Sequence, residues 1–220
     1  MQKSNLTTRK FYGKWLYKVT LNIPGVSIFR MHHLKNIQFL DFETQKNPYS
    51  TFNRACANKE VLVELATFLD SQDKDTWGKR IESNLIDLYT NEVSLYSALV
   101  QKFDSIVVST YEPNLENLDI LENSGSVVVK KLPHNKYQFK AFLLPHKIKD
   151  VEDKWAYLNW IDTQGEKILI SKIVKDWFIK TEYNWDRRYV LVEDSQTLLL
   201  LKLRNPEALG RIYDYVISDK

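Results

Sequence analysis

One cysteine, Cys56, stands in 220 residues. No intramolecular disulfide can form, so the core alone must hold the fold, and a reducing compartment suits the chain. Long apolar runs are missing too. The longest purely aliphatic run, Leu198 to Leu201, falls far short of the roughly 20 residues that span a membrane. The opening "MQKSNLTTRK" has no apolar signal core. These absences lead us to expect a soluble, cytoplasmic protein without a membrane partner. Glycine and proline number six each, too few for a flexible linker protein, and they leave little room for a glycine-rich phosphate loop. Charge of one sign is also scarce. The net charge is +3 and the isoelectric point is near 8.7. Dedicated duplex binders usually exceed a pI of about 9, so this balance permits an acidic partner without demanding one.

Chemical signatures are equally thin. None of His32, His33, His134 and His146 stands in a zinc-binding spacing. His134 and His146 bracket one expected strand, too far apart to share an ion. Glu193 and Asp194 end a strand and open a helix, where acids cap helices as readily as they hold Mg²⁺. Cys56 lies in no nucleophile signature, and no G-x-S-x-G is present. No cofactor or metal is expected. A non-enzymatic role follows, with an enzyme of unrecognised site as the third reading.

What is present is apolar and aromatic. Hydrophobic residues make up 44% of the chain, enough for a folded core. Six Trp and twelve Tyr give more flat surface than an ordinary core needs, so some rings are expected at an interface. The chain also repeats itself. "GKWLYKVTLNIP" (13–24) and "NKYQFKAFLLPH" (135–146) align, setting Lys14 on Lys136, Trp15 on Tyr137, Tyr17 on Phe139, Lys18 on Lys140 and Leu21 on Leu143. Further on, "LIDLYTNEVSLY" lies over "RYVLVEDSQTLL", with Leu88 on Leu191, Asn91 on Asp194 and Leu95 on Leu198.

The pattern along each half agrees. Residues 14–21 alternate as a strand. A short helix is expected within 26–40, a loop over 41–57 and a helix from Asn58, whose Val61, Leu62, Leu65, Phe68 and Leu69 share a face. "WGKRIE" and "LIDLYT" read as strands joined at "SN", followed by a helix from Asn91 and a strand "SIVVSTYEP". The second half reads as a strand "KYQFKAFLL", then a helix over 151–164 with Val151, Trp155, Leu158 and Ile161 inward. An extended "KILISKIVKDWFIK" comes next, then a turn at "NWD" and a strand "RRYVLVED". A helix capped by Asp194 or Ser195 and a final strand "GRIYDYVIS" complete it. Each half is β-α-β-β-α-β, the ferredoxin-like order. The expected fold is α+β, with two tandem ferredoxin-like repeats and antiparallel sheets. The first covers 1–113 with an insertion at 26–57. The second covers 128–220, after a polar linker at 114–126.

"KKLPHNKY" and the C-terminal "WDRRYVLVEDSQTLLLLKLRNPEALGRIYDYVISDK" resemble uncharacterised proteins of viruses, tailed phages among them. The resemblance covers chiefly the part of the chain from Lys130 onward. It implies a viral accessory protein in the host cytoplasm and carries over no residue role.

A ferredoxin-like sheet with one bare face is the platform on which RNA-binding modules stack bases. The expected nucleic-acid contacts are Lys18, Lys140 and Phe142 on the first strands, with Lys130, Lys131, Arg187 and Arg188 in basic doublets and Trp177 as a second stacking ring. "RRY" and "KDWF" interleave cations and rings in the manner of single-strand binders. The expected partner is single-stranded RNA or DNA. The alternative is an assembly or adaptor protein that turns this surface to another protein or to a second copy. Phe29, Arg30, His32, His33 and Lys35 form a second candidate surface, unless their segment is a hydrophobic strut across the sheet.

Overall fold

The computed structural model describes residues 3–37, 39, 51–123, 125–180 and 188–218. The chain divides into two units, Met1–Leu115 and Glu116–Lys220. In the first, β1 (Lys3–Thr7) and β2 (Tyr17–Asn22) precede four helices: α1 (Ile28–Met31), α2 (Leu34–Ile37), α3 (Thr51–Ala57) and α4 (Lys59–Asp70). Then come β3 (Trp77–Glu82), β4 (Leu85–Thr90), α5 (Val93–Lys102) and β5 (Val107–Pro113). The second unit holds α6 (Leu118–Glu122), β6 (Ser126–Val129), β7 (Phe139–Leu143), α7 (Val151–Thr163), β8 (Ile168–Leu169) and α8 (Lys172–Lys180). It ends with β9 (Tyr189–Val192), α9 (Ser195–Arg204) and β10 (Leu209–Ile217). No helix among the described residues is long and apolar enough to cross a membrane.

Each unit has one five-stranded sheet, ordered β1-β5-β2-β4-β3 and β6-β10-β7-β9-β8. Position by position the two orders are the same. Four strands of each form the antiparallel ferredoxin-like sheet, and the fifth, β1 or β6, lies parallel to β5 or β10 at the edge. The fold is thus the expected α+β pair of ferredoxin-like units, each with an extra edge strand. The strand β6 begins at Ser126, the last residue of the expected linker, and runs into the expected second repeat. Its three consecutive valines are β-branched, as strands favour.

One face of each sheet carries the core. Val19, Leu21, Ile81, Ile86, Leu88 and Val107 meet Leu62, Leu65 and Leu69 of α4 and Leu95 and Leu99 of α5. In the second unit Phe139, Ala141, Leu143, Ile168, Val190 and Val192 meet Tyr157, Leu158 and Ile161 of α7, Phe178 of α8, and Leu198 and Leu201 of α9. Burying such side chains is worth about 1.5–3 kcal/mol each. The helix formers of α4 at i, i+3 and i+7 therefore have a strand face to fill.

The repeat extends into a turn. Tyr12 and Gly13 have φ of 55° and 71°, and His134 and Asn135 have 53° and 58°. Lys14 and Trp15 both donate their N–H to Phe11 O, each at 3.0 Å; Lys136 and Tyr137 donate to Pro133 O at 3.2 and 3.1 Å. Gly and Asn tolerate this left-handed backbone best, which is why they occupy the second position.

Four expectations need correction. Leu88 does not correspond to Leu191: with Tyr17 set on Phe139, the ladders place Tyr89 on Leu191 and Glu92 on Asp194, one residue away. A slip of one exchanges faces. Leu88 pairs with core Val19, and Leu191 with Lys140 on the opposite side. Second, "KILISKIVKDWFIK" is extended only at β8 and then turns helical. Ser171 Oγ accepts from Val174 N at 3.3 Å, and Val174, Trp177 and Phe178 recur at helical spacing. Third, α7 is rotated: Val151 and Trp155 are each 50% exposed, and Lys154 and Tyr157 point inward instead. Burial lowers the Lys154 pKa, the cost of setting an ammonium in a core stripe. Fourth, α3 replaces the C-terminal part of the loop expected over 41–57. Residues 41–50 and the turn expected at 184–186 lie outside the described residues.

Two measurements check this frame. Gly25 has φ +89°, and a Cβ there would stand 2.6 Å from Ala55 Cα. Gly25→Ala is expected to cost about 3 kcal/mol or more, read as a lower denaturant midpoint. Asp194 caps α9 by accepting from Thr197 N at 2.7 Å, and that hydrogen bond lowers its pKa. Asp194→Ala should cost about 1 kcal/mol at neutral pH, and Asp194→Asn much less. The charge-dependent part is complete above the unfolded Asp value of about 3.9 and is lost as pH falls through the lower folded value. The wild-type advantage over Asp194→Asn should therefore shrink only in acid.

Candidate functional site

The faces turned away from the helices decide where the expected residues stand. In the first unit Lys18 and Thr20 of β2 pair with Tyr89 and Asp87 of β4, and Lys18 also pairs with Tyr111 of β5. Paired residues share a face. Asp87 organises them. Its carboxylate lies 3.6 Å from Lys18 Nζ and accepts from the Thr20 hydroxyl at 2.6 Å and the Tyr89 hydroxyl at 3.1 Å. Burial, a hydrogen bond with Tyr12 and the Asp87 charge push the Tyr89 hydroxyl well above its ordinary range. Phe11 folds onto the same patch, 5.5 Å from Tyr111 and 5.6 Å from Tyr89 between ring centres. Lys18 is thereby enclosed, with a side chain only 16% exposed.

The second unit answers the same positions differently. Lys140 takes the place of Lys18, Phe142 that of Thr20, Tyr189 that of Asp87 and Tyr213 that of Tyr111. The polar knot becomes a ring cluster. Lys140 Nζ stands 3.7 Å from the Tyr189 ring centre and 5.1 Å from that of Phe142. Phe142 meets Tyr189 and Tyr213 edge-on at 5.8 and 5.9 Å. Tyr215, paired with Val127 of β6, extends the face toward the edge strand. Tyr189 is 41% exposed. Pro133 stands where Phe11 does in the first unit, so the counterpart turn brings no ring.

The other expected residues scatter. Lys130 and Lys131 follow β6 and are both exposed. Trp177 is not on a strand: it lies on α8, half-buried against the core, with its indole N–H away from solvent. Arg188 precedes β9 but reaches to α8, donating to Ile173 O at 3.1 Å and lying 5.7 Å from the Trp177 ring. Arg187 lies outside the described residues. Tyr189 is the ring of the "RRY" stretch, whereas Tyr213 and Tyr215 stand in no stretch singled out from the sequence. The period-two placing of Tyr213 and Tyr215 in β10 was the available signal.

The second candidate surface forms a cavity of about 910 Å³ in the first unit. Segment 29–35 provides Phe29, Arg30, Met31, His32, His33 and Lys35; Asp70 is the last residue of α4 and Lys74 follows it, and Trp77, Lys79 and Ile81 come from edge strand β3. Arg30 donates to the carbonyl of Ile81 on the outer strand edge. Lys79 Nζ donates to Phe29 O at 3.1 Å, and desolvation lowers its pKa. The expected strut and the expected basic surface are the same segment: Ile28 and Phe29 enter the core while Arg30 and Lys35 line the cavity. Lys74 and Lys79 carried no signal, since only the fold brings them here.

No protein-family model, no curated protein and no solved structure matches the chain. Among the described residues, no group of three or more His, Cys, Asp or Glu could hold a metal ion.

The Asp87 arrangement makes a direct prediction. Asp87→Ala leaves a largely enclosed ammonium and two hydroxyls without their acceptor. A loss of about 2 kcal/mol is expected in chemical denaturation. A double-mutant cycle with Lys18→Ala should return a coupling of about 1 kcal/mol, and a value near zero would mean Lys18 is held by the rings alone.

Proposed function

We propose that the protein binds single-stranded nucleic acid through the ring-bearing face of its second unit, as a non-enzymatic accessory protein of viral type acting in the cytoplasm. The observation that carries this reading is the cluster of Lys140, Phe142, Tyr189 and Tyr213 on the face opposite the helices. Bases stack on such rings without regard to sequence, each for about 1–3 kcal/mol. Lys140 sits among the rings, and exposed Lys130 and Lys131 extend positive charge beyond the edge strand of that sheet. The first unit takes no direct part, because Asp87 neutralises Lys18. This narrows the surface expected from sequence to one unit.

A second reading has its own observation. On α9, Leu199, Leu200 and Leu203 are 55%, 44% and 70% exposed, an apolar stripe suited to a protein partner. An adaptor would use this stripe and leave the ring face idle.

Fluorescence anisotropy with labelled single-stranded RNA and DNA across a salt series tests the first reading. Log affinity should fall linearly with log salt. Phe142→Ala and Tyr189→Ala should each weaken binding about tenfold or more. Lys18→Ala should leave it unchanged. Absence of binding at low salt, or equal loss on Lys18→Ala, would overturn the assignment.

A further inference from the structure

The cavity beside β3 does not depend on the ring face, which belongs to the other unit. Its lining is strongly one-sided in charge. Arg30, Lys35, Lys74 and Lys79 supply four cationic side chains, and Asp70 is the one carboxylate among the lining residues. Among the described residues, none of these four cations has a carboxylate within 4.0 Å. Two are held in place by backbone: Arg30 on Ile81 O, and Lys79 on Phe29 O. Each keeps donors beyond that bond, since an ammonium has three and a guanidinium five. A cation positioned by a backbone carbonyl, with no carboxylate beside it, is set to gain from an anion.

Size and remaining wall narrow the anion. A volume of about 910 Å³ lies within the range of small-molecule sites, about 300–1,000 Å³. Half-buried Trp77 and Met31, which is 57% exposed, add apolar surface beside the cations. A single carboxylate would leave most of the positive charge uncompensated. A phosphate monoester carries about −1.5 to −2 at neutral pH and three acceptor oxygens. From this geometry we infer that the cavity binds a small phosphate monoester with an apolar or aromatic body, of which a nucleoside 5′-monophosphate is the simplest case. Arg30 and Lys79 fix the phosphate against β3. Lys35 and Lys74 complete its neutralisation, and Trp77 and Met31 receive the body.

Calorimetric titration of the full chain with AMP, adenosine and inorganic phosphate tests this. AMP should bind saturably, inorganic phosphate should compete with it, and adenosine should bind at least about tenfold more weakly. Lys35→Ala/Lys74→Ala alters two exposed side chains, so the fold should survive. It should weaken AMP at least about tenfold, and Lys130→Ala/Lys131→Ala should not change it. No saturable AMP binding, equal binding of adenosine, or an unaffected Lys35/Lys74 variant would overturn the site. A 5′-phosphorylated oligonucleotide that outbinds AMP at this cavity would overturn the small-molecule assignment. Loss of oligonucleotide binding on Phe142→Ala with AMP binding intact would separate this site from the ring face.

Discussion

Alternation along the two central strands is the constraint on which both units depend. β2 and β7 are each paired on both sides, so neither can turn to relieve a misplaced side chain. Val19 and Leu21, or Phe139, Ala141 and Leu143, must fill one face, where helices cover them. Lys18 and Lys140 are then committed to the other face, whatever they meet there. A half-buried ammonium needs compensation. The first unit supplies a carboxylate, Asp87, and the second supplies ring faces, chiefly Tyr189. Two differences on one frame, Thr20 against Phe142 and Asp87 against Tyr189, turn a closed polar knot into an aromatic patch.

The insertions differ as the faces do. Both units share the sheet order and the left-handed turn before the central strand. The first unit spends its extra residues before α4, and part of that segment walls the basic cavity. In the second unit the addition is α8, between β8 and β9, where the first has only the Ser83–Asn84 turn. Trp177 and Arg188 were drawn away from the ring face by that helix. Additions of this kind cost the shared core little, because they lie outside the ladders that define it.

Most of the fold was legible because its signals are local. The strands "WGKRIE" and "LIDLYT", the cap Asp194 and the stop at Pro206 are read from residues a few positions apart. The rotated α7 was not legible. Lys154 in a buried stripe contradicts the usual rule for charge, and Trp155 outside contradicts the usual rule for rings. Segment 168–180 misled through its β-branched residues, whereas the helical spacing of Val174, Trp177 and Phe178 held the correct answer. Of the candidate surfaces, Lys140 and Phe142 were visible from their place in the repeat. Tyr189 stood in the quoted "RRY", but Tyr213 on β10 did not stand out, and the rings come together only across the ladders.

Read alone, the residues gave the duplication, the α+β class, the β-α-β-β-α-β order shared by the halves and the two lysines facing away from the core. Each follows from periodicity, caps and turns, which act over short stretches of chain. Tertiary structure alone decided which lysine an acid holds and which lies among rings. It also decided that Arg30, Lys35, Lys74 and Lys79, distant in sequence, share one cavity. The reason is register. Contacts across a sheet or between a strand and an inserted helix join distant residues, and a shift of one position moves a side chain to the opposite face.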